Sequence, residues 1–272
     1  MPSTADASGG RPADATAVQG AGRDARLHAA APAAAPRPHP PGAALAADLR
    51  RHTQGEVLFD AASRGRYSTD ASIYQIEPVG VLVPKSEDDV AAALQIAAAH
   101  RVPVLARGGG TSQCGQTVGA ALVIDVSKHL RQLTALDLSR GEVEVQPGIA
   151  LDALNSALKK HGVWHPVDVS TSAQATLGGM AGNNSCGSRS IAYGNMVHNV
   201  LGIDALLSDG TQEFFGPFGP GASRRMSSGR SGALVAGLHE IAARERDEIA
   251  RVWPKVMRRV GGYNLDVFHP QS

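Results

Sequence analysis

The chain has 272 residues, enough for one large domain or two smaller ones. Its 26 lysines and arginines nearly balance its 25 aspartates and glutamates, and a formal net charge of +1 creates no global field that would attract nucleic acid or an anionic membrane. No apolar run reaches the roughly 18 residues that cross a bilayer, so we expect a soluble chain. Two cysteines are too few for a disulfide scaffold or a metal cluster, which favours the cytoplasm and no bound metal. The near-zero net charge gives no reason to expect nucleic-acid partners.

The chain divides by composition into five segments. Residues 1–42 are rich in alanine and proline with almost no large apolar side chain, which predicts a disordered tail. A helical lead-in over 43–75 precedes the main domain at 76–215. A flexible Gly/Ser/Pro loop over 216–232 and a final segment, 233–272, that begins with a helix complete the prediction.

The main domain opens with the pattern of a β-α-β unit. The run "VGVLVP" predicts a strand, and Ser86 followed by Asp89 is typical of the start of a helix. A second strand, "VPVLA", comes so soon after this helix that the two strands should be parallel. A third strand, "ALVIDVS", is predicted beyond a glycine-rich loop.

The second half of the main domain alternates strands and helices less regularly. "GEVEVQPG" predicts a half-buried strand because valine alternates with polar residues. A helix over "ALDALNSALKKHG" follows, and "VLGIDALLSDGTQEFF" predicts a hairpin that turns at Asp209-Gly210.

Glycine is over-represented, at 31 of 272 residues, and is concentrated in two loops. In "RGGGTSQCGQTVG", three successive glycines leave backbone N–H groups accessible to an anion, for which phosphate or pyrophosphate is the natural ligand. The loop lacks the Gly-Lys-Ser/Thr ending of a P-loop, and Gln113 stands where a Rossmann fingerprint requires its third glycine. A tight turn between strands is the alternative.

The second loop, "TLGGMAGNNSCG", begins where Thr176 could cap a helix. Small residues there either admit a ligand or simply allow a helix to pack on a strand. Together with a turn at Pro147-Gly148, the two loops are best explained by one extended ligand that lies across all three.

Cysteine and histidine give no sign of catalysis. Cys114 and Cys186 have no adjacent cation that would activate a thiol, so we expect small buried thiols. His161, His165 and His198 lack the spacing of a metal site. Catalytic residues are not identified from the sequence.

Four segments carry a family resemblance: "PVLARGGGTSQCGQTVG", "VQPGIALDALNSAL", "PVDVSTSAQATLGGMAGNNSCGSRSIAYG" and "RRVGGYNLD". In this order and spacing, the chain resembles the FAD-binding domain of the vanillyl-alcohol oxidase / p-cresol methylhydroxylase (PCMH) superfamily. It is most similar to the branch of D-2-hydroxyacid dehydrogenases, which comprises D-lactate dehydrogenase, the glycolate oxidase flavin subunit and D-2-hydroxyglutarate dehydrogenase. Among these, bacterial proteins that fuse the flavin domain to an iron–sulfur domain are the nearest.

The resemblance implies a PCMH-type α+β fold of two α/β subdomains. The first is a small mixed or parallel β-α-β unit, and the second is a larger, mostly antiparallel sheet with flanking helices. It also implies non-covalent FAD, because Thr111 and Ser112 stand where several relatives place a histidine bonded to the flavin. The positions that match the family's cofactor-binding residues are Arg107, Gly108, Gly109, Gly110, Thr111, Ser112, Pro147, Gly148, Asp168, Thr176, Gly178, Gly179, Asn183, Ser185, Gly187, Tyr193, Gly194, Val200 and Ile203.

The function implied is oxidation of a D-2-hydroxyacid of the D-lactate or D-2-hydroxyglutarate type, by hydride transfer to flavin N5. We expect an N-terminal fragment, inactive alone, that ends before the cap domain with its substrate site and before any iron–sulfur cluster. The electron acceptor is not indicated, and the full-length parent could lie peripherally at a membrane. The alternative is a stand-alone FAD-binding module, or a subunit that needs a separate catalytic chain.

Overall fold

A computed structural model describes residues 42–216, 230–256 and 263–268. Most of the predicted tail and of the predicted loop at 216–232 lie outside the described residues. The described elements are, in chain order, α1 (Gly42–His52), β1 (Glu56–Leu58), α2 (Ala61–Arg66), β2 (Gly80–Val83), α3 (Glu87–Ala99), β3 (Val104–Arg107), β4 (Leu122–Asp125), β5 (Leu133–Asp137), β6 (Glu142–Val145), α4 (Leu151–Lys159), α5 (Leu177–Gly182), α6 (Ser190–Tyr193), α7 (Met196–Asn199), β7 (Ile203–Leu206), β8 (Gln212–Phe215), α8 (Arg230–Arg244), α9 (Arg246–Val252) and a 3₁₀ turn, Leu265–Phe268.

The first half of the fold is a four-stranded mixed sheet with the order β1-β2-β4-β3. β2 and β3 both run parallel to β4, as the predicted β-α-β unit requires, and β1 runs antiparallel to β2. Every residue of β2 and β4 is buried, which explains why β2 and the first three residues of β4 are apolar. The C-terminal end of β3 leads directly into the first glycine-rich loop.

Helices α1 and α3 pack together against this sheet. Leu45 and Leu49 of α1 share a buried cluster with Leu82, Leu94 and residues of β4. Ser86 caps α3 by accepting a hydrogen bond from the amide of Asp89, as predicted. The short strand β1 was not predicted, because three residues are too few to establish a period of two.

The second half of the fold contains a separate core beneath α4 and α5. Leu151, Leu154 and Leu158 line one face of α4 and pack with Val167 and Met180. The β5-β6 ladder packs against this core. β5 was not predicted as a strand, since only two of its five residues are partly buried and its alternation is weak.

The α+β class is confirmed, with one difference in the second subdomain. Its antiparallel part consists, within the described ranges, of two separate two-stranded ladders, β5-β6 and β7-β8, rather than one larger sheet. The β7-β8 hairpin turns at Gly210, whose φ of +81° favours glycine. The helix predicted from 233 is observed as two helices, α8 and α9. None of the helices described has the length and hydropathy to cross a bilayer.

Candidate functional site

Three loops meet at the C-terminal end of β3. Loop one is residues 107–119, loop two is residues 174–194, and loop three is residues 146–149. Gly109 of loop one lies so close to loop two that a Cβ there would overlap the carbonyl oxygen of Gln174 and lie 2.8 Å from its carbonyl carbon. A Cβ at Gly108 would overlap the Thr176 hydroxyl. Glycine at these two positions is therefore required for the contact between the loops.

Loop three joins loop two through the start of α5. The amide of Gly178 donates to the carbonyl of Pro147 at 2.9 Å, and a Cβ on Gly178 would lie 2.6 Å from the Pro147 ring. Gly148 is fixed from the other side, since its amide donates to the carbonyl of Leu130 at 2.7 Å. The structure thus brings together the three loops that the sequence singled out.

Loop one presents a row of backbone donors. Within the described part of the chain, the six consecutive amides of Gly108–Gln113 donate to no protein acceptor. The first three of these residues carry no side chain that would obstruct an approach. Backbone N–H groups in such a cluster need an acceptor, which water or the oxygens of an anion can supply. The donor set therefore fits the pyrophosphate of FAD.

The hydroxyl of Ser112 organises the far side of loop one. It accepts hydrogen bonds from the amides of Cys114 (3.1 Å) and Gln116 (3.3 Å) and donates to the Gln116 side chain at 2.8 Å. Gln116 in turn donates to the side-chain oxygen of Asn183 at 3.3 Å. Loop one and the end of α5 are therefore joined through side chains as well as backbone.

The Arg107 guanidinium donates to backbone carbonyl oxygens of the protein. It donates to the carbonyl of Thr69 at 2.8 Å and to the carbonyl of Thr117 at 3.0 Å. It also lies over the ring of Tyr67, 5.2 Å from the centroid. The side chain that the resemblance assigns to the cofactor is thus engaged with the protein.

Several matching positions in loop two have a structural role. Thr176 is buried and its hydroxyl caps α5, accepting from the amide of Gly179 at 3.4 Å. Asn183 donates to the hydroxyl of Ser185 at 3.1 Å, and Ser185 is buried. These contacts fix the shape of loop two behind loop one.

Asp168 anchors the middle of loop two. Its carboxylate accepts from the Ser188 hydroxyl at 2.7 Å and from the Arg189 amide at 3.0 Å, and Gly187 lies directly against it. Burial would raise the pKa of Asp168, but these hydrogen bonds and the charge of Arg189 outweigh it and hold the pKa below its usual value. Asp168 is therefore a charged acceptor near neutral pH.

The remaining matching positions lie toward the second core. Tyr193 packs edge-on against Trp164 with ring centroids 5.2 Å apart, and Arg189 lies over the same Trp164 ring at 5.1 Å. Gly194 has a φ of +78° and lies against His198. Val200 packs on the second core, whereas Ile203 of β7 is exposed. The described contacts do not join these positions to loop one.

The prediction of small buried thiols is wrong for Cys114, which is exposed within loop one, whereas Cys186 is partly buried. Burial lowers the pKa of His165, whose Nε2 lies 3.4 Å from the sulfur of Met196. Among the residues described, no cluster of three or more His, Cys, Asp or Glu side chains could hold a metal.

Sequence reasoning missed the residues that support loop one from outside it. Tyr67, Thr69 and Asp70 precede Arg107 by about 40 positions, and Asp70 accepts from the Thr117 hydroxyl at 2.9 Å. No local signal marks such residues, because their role depends on contacts distant in sequence.

Comparison with known proteins identifies the family. Residues 78–216 match the FAD binding domain family. The chain is 33% identical over 217 residues to D-2-hydroxyglutarate dehydrogenase of Pseudomonas putida, covering 78% of this chain and 22% of that protein. It is 35% identical over 161 residues to glycolate oxidase subunit GlcD of Bacillus subtilis, covering 57% of this chain and 34% of that protein. The chain thus spans about a fifth to a third of the length of these relatives.

Solved structures share the fold at lower sequence identity. An alkyldihydroxyacetonephosphate synthase matches with a TM-score of 0.59 and 20% identity, covering 67% of this chain and 36% of that one. A chitooligosaccharide oxidase matches with a TM-score of 0.56 and 21% identity, covering 64% and 37%. The match over half of the chain confirms the family that the sequence motifs indicated: the chain belongs to the FAD binding domain family.

Proposed function

We propose that this chain is the FAD-binding portion of a flavin-dependent dehydrogenase that oxidises a D-2-hydroxyacid of the D-lactate or D-2-hydroxyglutarate type. The observation that carries the proposal is the row of amides at Gly108–Gln113, which has no acceptor in the described chain and lies where three loops converge. The substrate class comes from the relatives, which are named D-2-hydroxyglutarate dehydrogenase, D-lactate dehydrogenase and glycolate oxidase subunit.

In this proposal, the amides of loop one bind the pyrophosphate, with the hydroxyls of Thr111 and Ser112 beside them. Loops two and three pack against loop one and support it. The positions between Asp168 and Ile203 that match the family's cofactor-binding residues contact the rest of the cofactor. We further propose that FAD is held non-covalently, because Thr111 and Ser112 stand where the resemblance would place a histidine bonded to the flavin. Bound FAD would supply a hydride acceptor, flavin N5.

Substrate binding and electron transfer are assigned to the longer parent protein. The D-2-hydroxyglutarate dehydrogenases among the relatives carry about four-fifths of their length outside the part that this chain matches. We propose that the hydroxyacid-binding residues, the catalytic base and any iron–sulfur cluster lie there. The FAD-binding domain boundaries of 76–215 are proposed on the agreement with the family match at 78–216. A reducing, cytoplasmic location is proposed because two cysteines are too few for a disulfide scaffold.

The experiment is flavin binding by the purified chain. FAD is added, excess is removed, and the absorbance spectrum is recorded before and after heat denaturation. We expect about one flavin per chain, released into solution by heat. Riboflavin, which lacks the pyrophosphate, is the matched ligand control and should bind much more weakly. A folded chain, verified by circular dichroism, that retains no FAD would contradict the proposal.

The catalytic part of the proposal is tested on the FAD-loaded chain without oxygen. D-lactate and D-2-hydroxyglutarate are added separately and the flavin absorbance is followed. We expect no bleaching, since the substrate-binding residues are assigned elsewhere. Rapid bleaching by either hydroxyacid would show that this chain contains its own catalytic residues.

A further inference from the structure

Arg107 occupies the point where β3 ends and loop one begins. We propose that Arg107 is a positioning residue for FAD: it holds the backbone of loop one in the shape that presents the row of amides, and does not itself bind the pyrophosphate. The inference rests on the proposed function, because it concerns how that cofactor site is formed.

The guanidinium closes loop one on itself. Arg107 Nη1 donates to the carbonyl of Thr117 at 3.0 Å, joining two residues ten positions apart at the two ends of the loop. The backbone of Gly110 lies against the same guanidinium, since a Cβ there would come within 2.6 Å of Nη2. Ordering a loop of this length costs conformational entropy, and a charge-assisted hydrogen bond across its ends offsets part of that cost.

A second set of contacts fixes the guanidinium from the lead-in segment. Nη2 donates to the carbonyl of Thr69 at 2.8 Å, and the Tyr67 ring covers one face of the group. The amide of Ala71 donates to the carbonyl of Gly110 at 3.1 Å. The lead-in thus supports the first turn of loop one through both the arginine and the backbone.

The lead-in segment is itself attached to the sheet. The Tyr67 hydroxyl donates to the buried carboxylate of Asp125 at 2.7 Å, and the amide of Ser127 donates to the other oxygen of that carboxylate at 2.8 Å. The Thr117 hydroxyl donates to Asp70 at 2.9 Å. Arg107 therefore connects loop one to a frame that extends to β4, and its donors are directed at carbonyl oxygens.

A positioning role and a direct electrostatic role predict different results for a charge-conserving variant. In Arg107→Lys the positive charge remains, but one ammonium cannot reproduce the planar fork that reaches Thr69 and Thr117 together. Loss of a charge-assisted hydrogen bond corresponds to about tenfold or more in an equilibrium constant. Positioning therefore predicts that Arg107→Lys loses FAD affinity nearly as much as Arg107→Gln does.

The experiment uses the full chain labelled with ¹⁵N-glycine, with and without FAD. The amide resonances of Gly108, Gly109 and Gly110 are recorded in the flavin-free protein, and FAD affinity is measured by titration. We expect both Arg107 variants to shift these resonances before FAD is added and to weaken FAD binding about tenfold or more. Arg50→Gln, which removes an exposed charge from α1, should change neither.

Two outcomes overturn the inference. The first is an Arg107→Lys chain that keeps the wild-type affinity for FAD. The second is an Arg107 variant that binds FAD more weakly although the glycine resonances of its flavin-free form do not move. Either result would make Arg107 a direct partner of the pyrophosphate. If either Arg107 variant fails to fold, Tyr67→Leu tests the same frame by removing the ring that covers the guanidinium, and unchanged resonances and affinity there also overturn the inference. A wild-type chain that binds no FAD would instead refute the proposed function, while the glycine resonances report separately on the loop.

Discussion

Gly109→Ala is the smallest change that separates loop one from loop two. The added methyl group would overlap the carbonyl oxygen of Gln174 and lie 2.8 Å from its carbonyl carbon. Both are backbone atoms, so no side-chain rotation relieves the overlap and one loop must move. The reason for glycine here is therefore the contact with loop two, and an effect on FAD should follow from the displaced amides of loop one.

The size of the effect follows from the cost of overpacking. Forcing a methyl group into a close-packed contact destabilises by about 1–3 kcal/mol. For a domain of this size, that corresponds to a decrease in Tm of about 2–12 °C. Because Gly109 supplies one of the amides in the row, we also expect FAD affinity to fall by more than the loss in stability alone would cause.

The assay pairs thermal unfolding with FAD titration, and Gly182→Ala is the matched control. Gly182 lies at the end of α5 and has open space where a Cβ would be added. We expect the control to keep the Tm and FAD affinity of the wild-type chain. A Gly109→Ala chain as stable as the wild type, with unchanged FAD affinity, would refute the packing of loop one on loop two.

Three further predictions concern the network and the cores. Tyr67→Phe removes the hydrogen bond to the buried Asp125 carboxylate and should lower the free energy of unfolding by about 1.5–3 kcal/mol in urea; a loss below about 0.5 kcal/mol would show that this bond is unimportant. Burial lowers the pKa of His165 below its ordinary 6.5. The stability that the neutral His165 side chain contributes is therefore present above pH 6.5, and it is lost as the pH falls through the lower pKa of the folded state. His165→Gln should therefore lose less stability on acidification than the wild type, and an equal loss in the two chains would contradict this. Leu154→Ala, at a side chain only 1% exposed, should cost about 2–5 kcal/mol of unfolding free energy in urea, and a smaller loss would mean that the second core repacks.

The elements that the sequence predicted correctly are those whose signals are local. Ser86 caps α3 because a side-chain oxygen and an amide three residues apart suffice for that bond. The buried strands β2 and β4 and the turn at Gly210 were likewise evident from short runs of residue types. The three loops were also identified from composition, and their shared ligand was inferred from the coincidence of glycines.

Tertiary structure decided what those glycines and the arginine contact within the protein. The sequence assigned Gly109 to the approach of a ligand, whereas the structure places Gln174 of another loop against it. It assigned Arg107 to the ligand by family resemblance, whereas the guanidinium binds the carbonyl of Thr69, 38 residues away. The strand β1 exists only through pairing with β2. Local patterns determine which residues can form a turn, a cap or a strand, but the partner of a backbone or a charge is set by which distant segments the fold brings within a few ångströms.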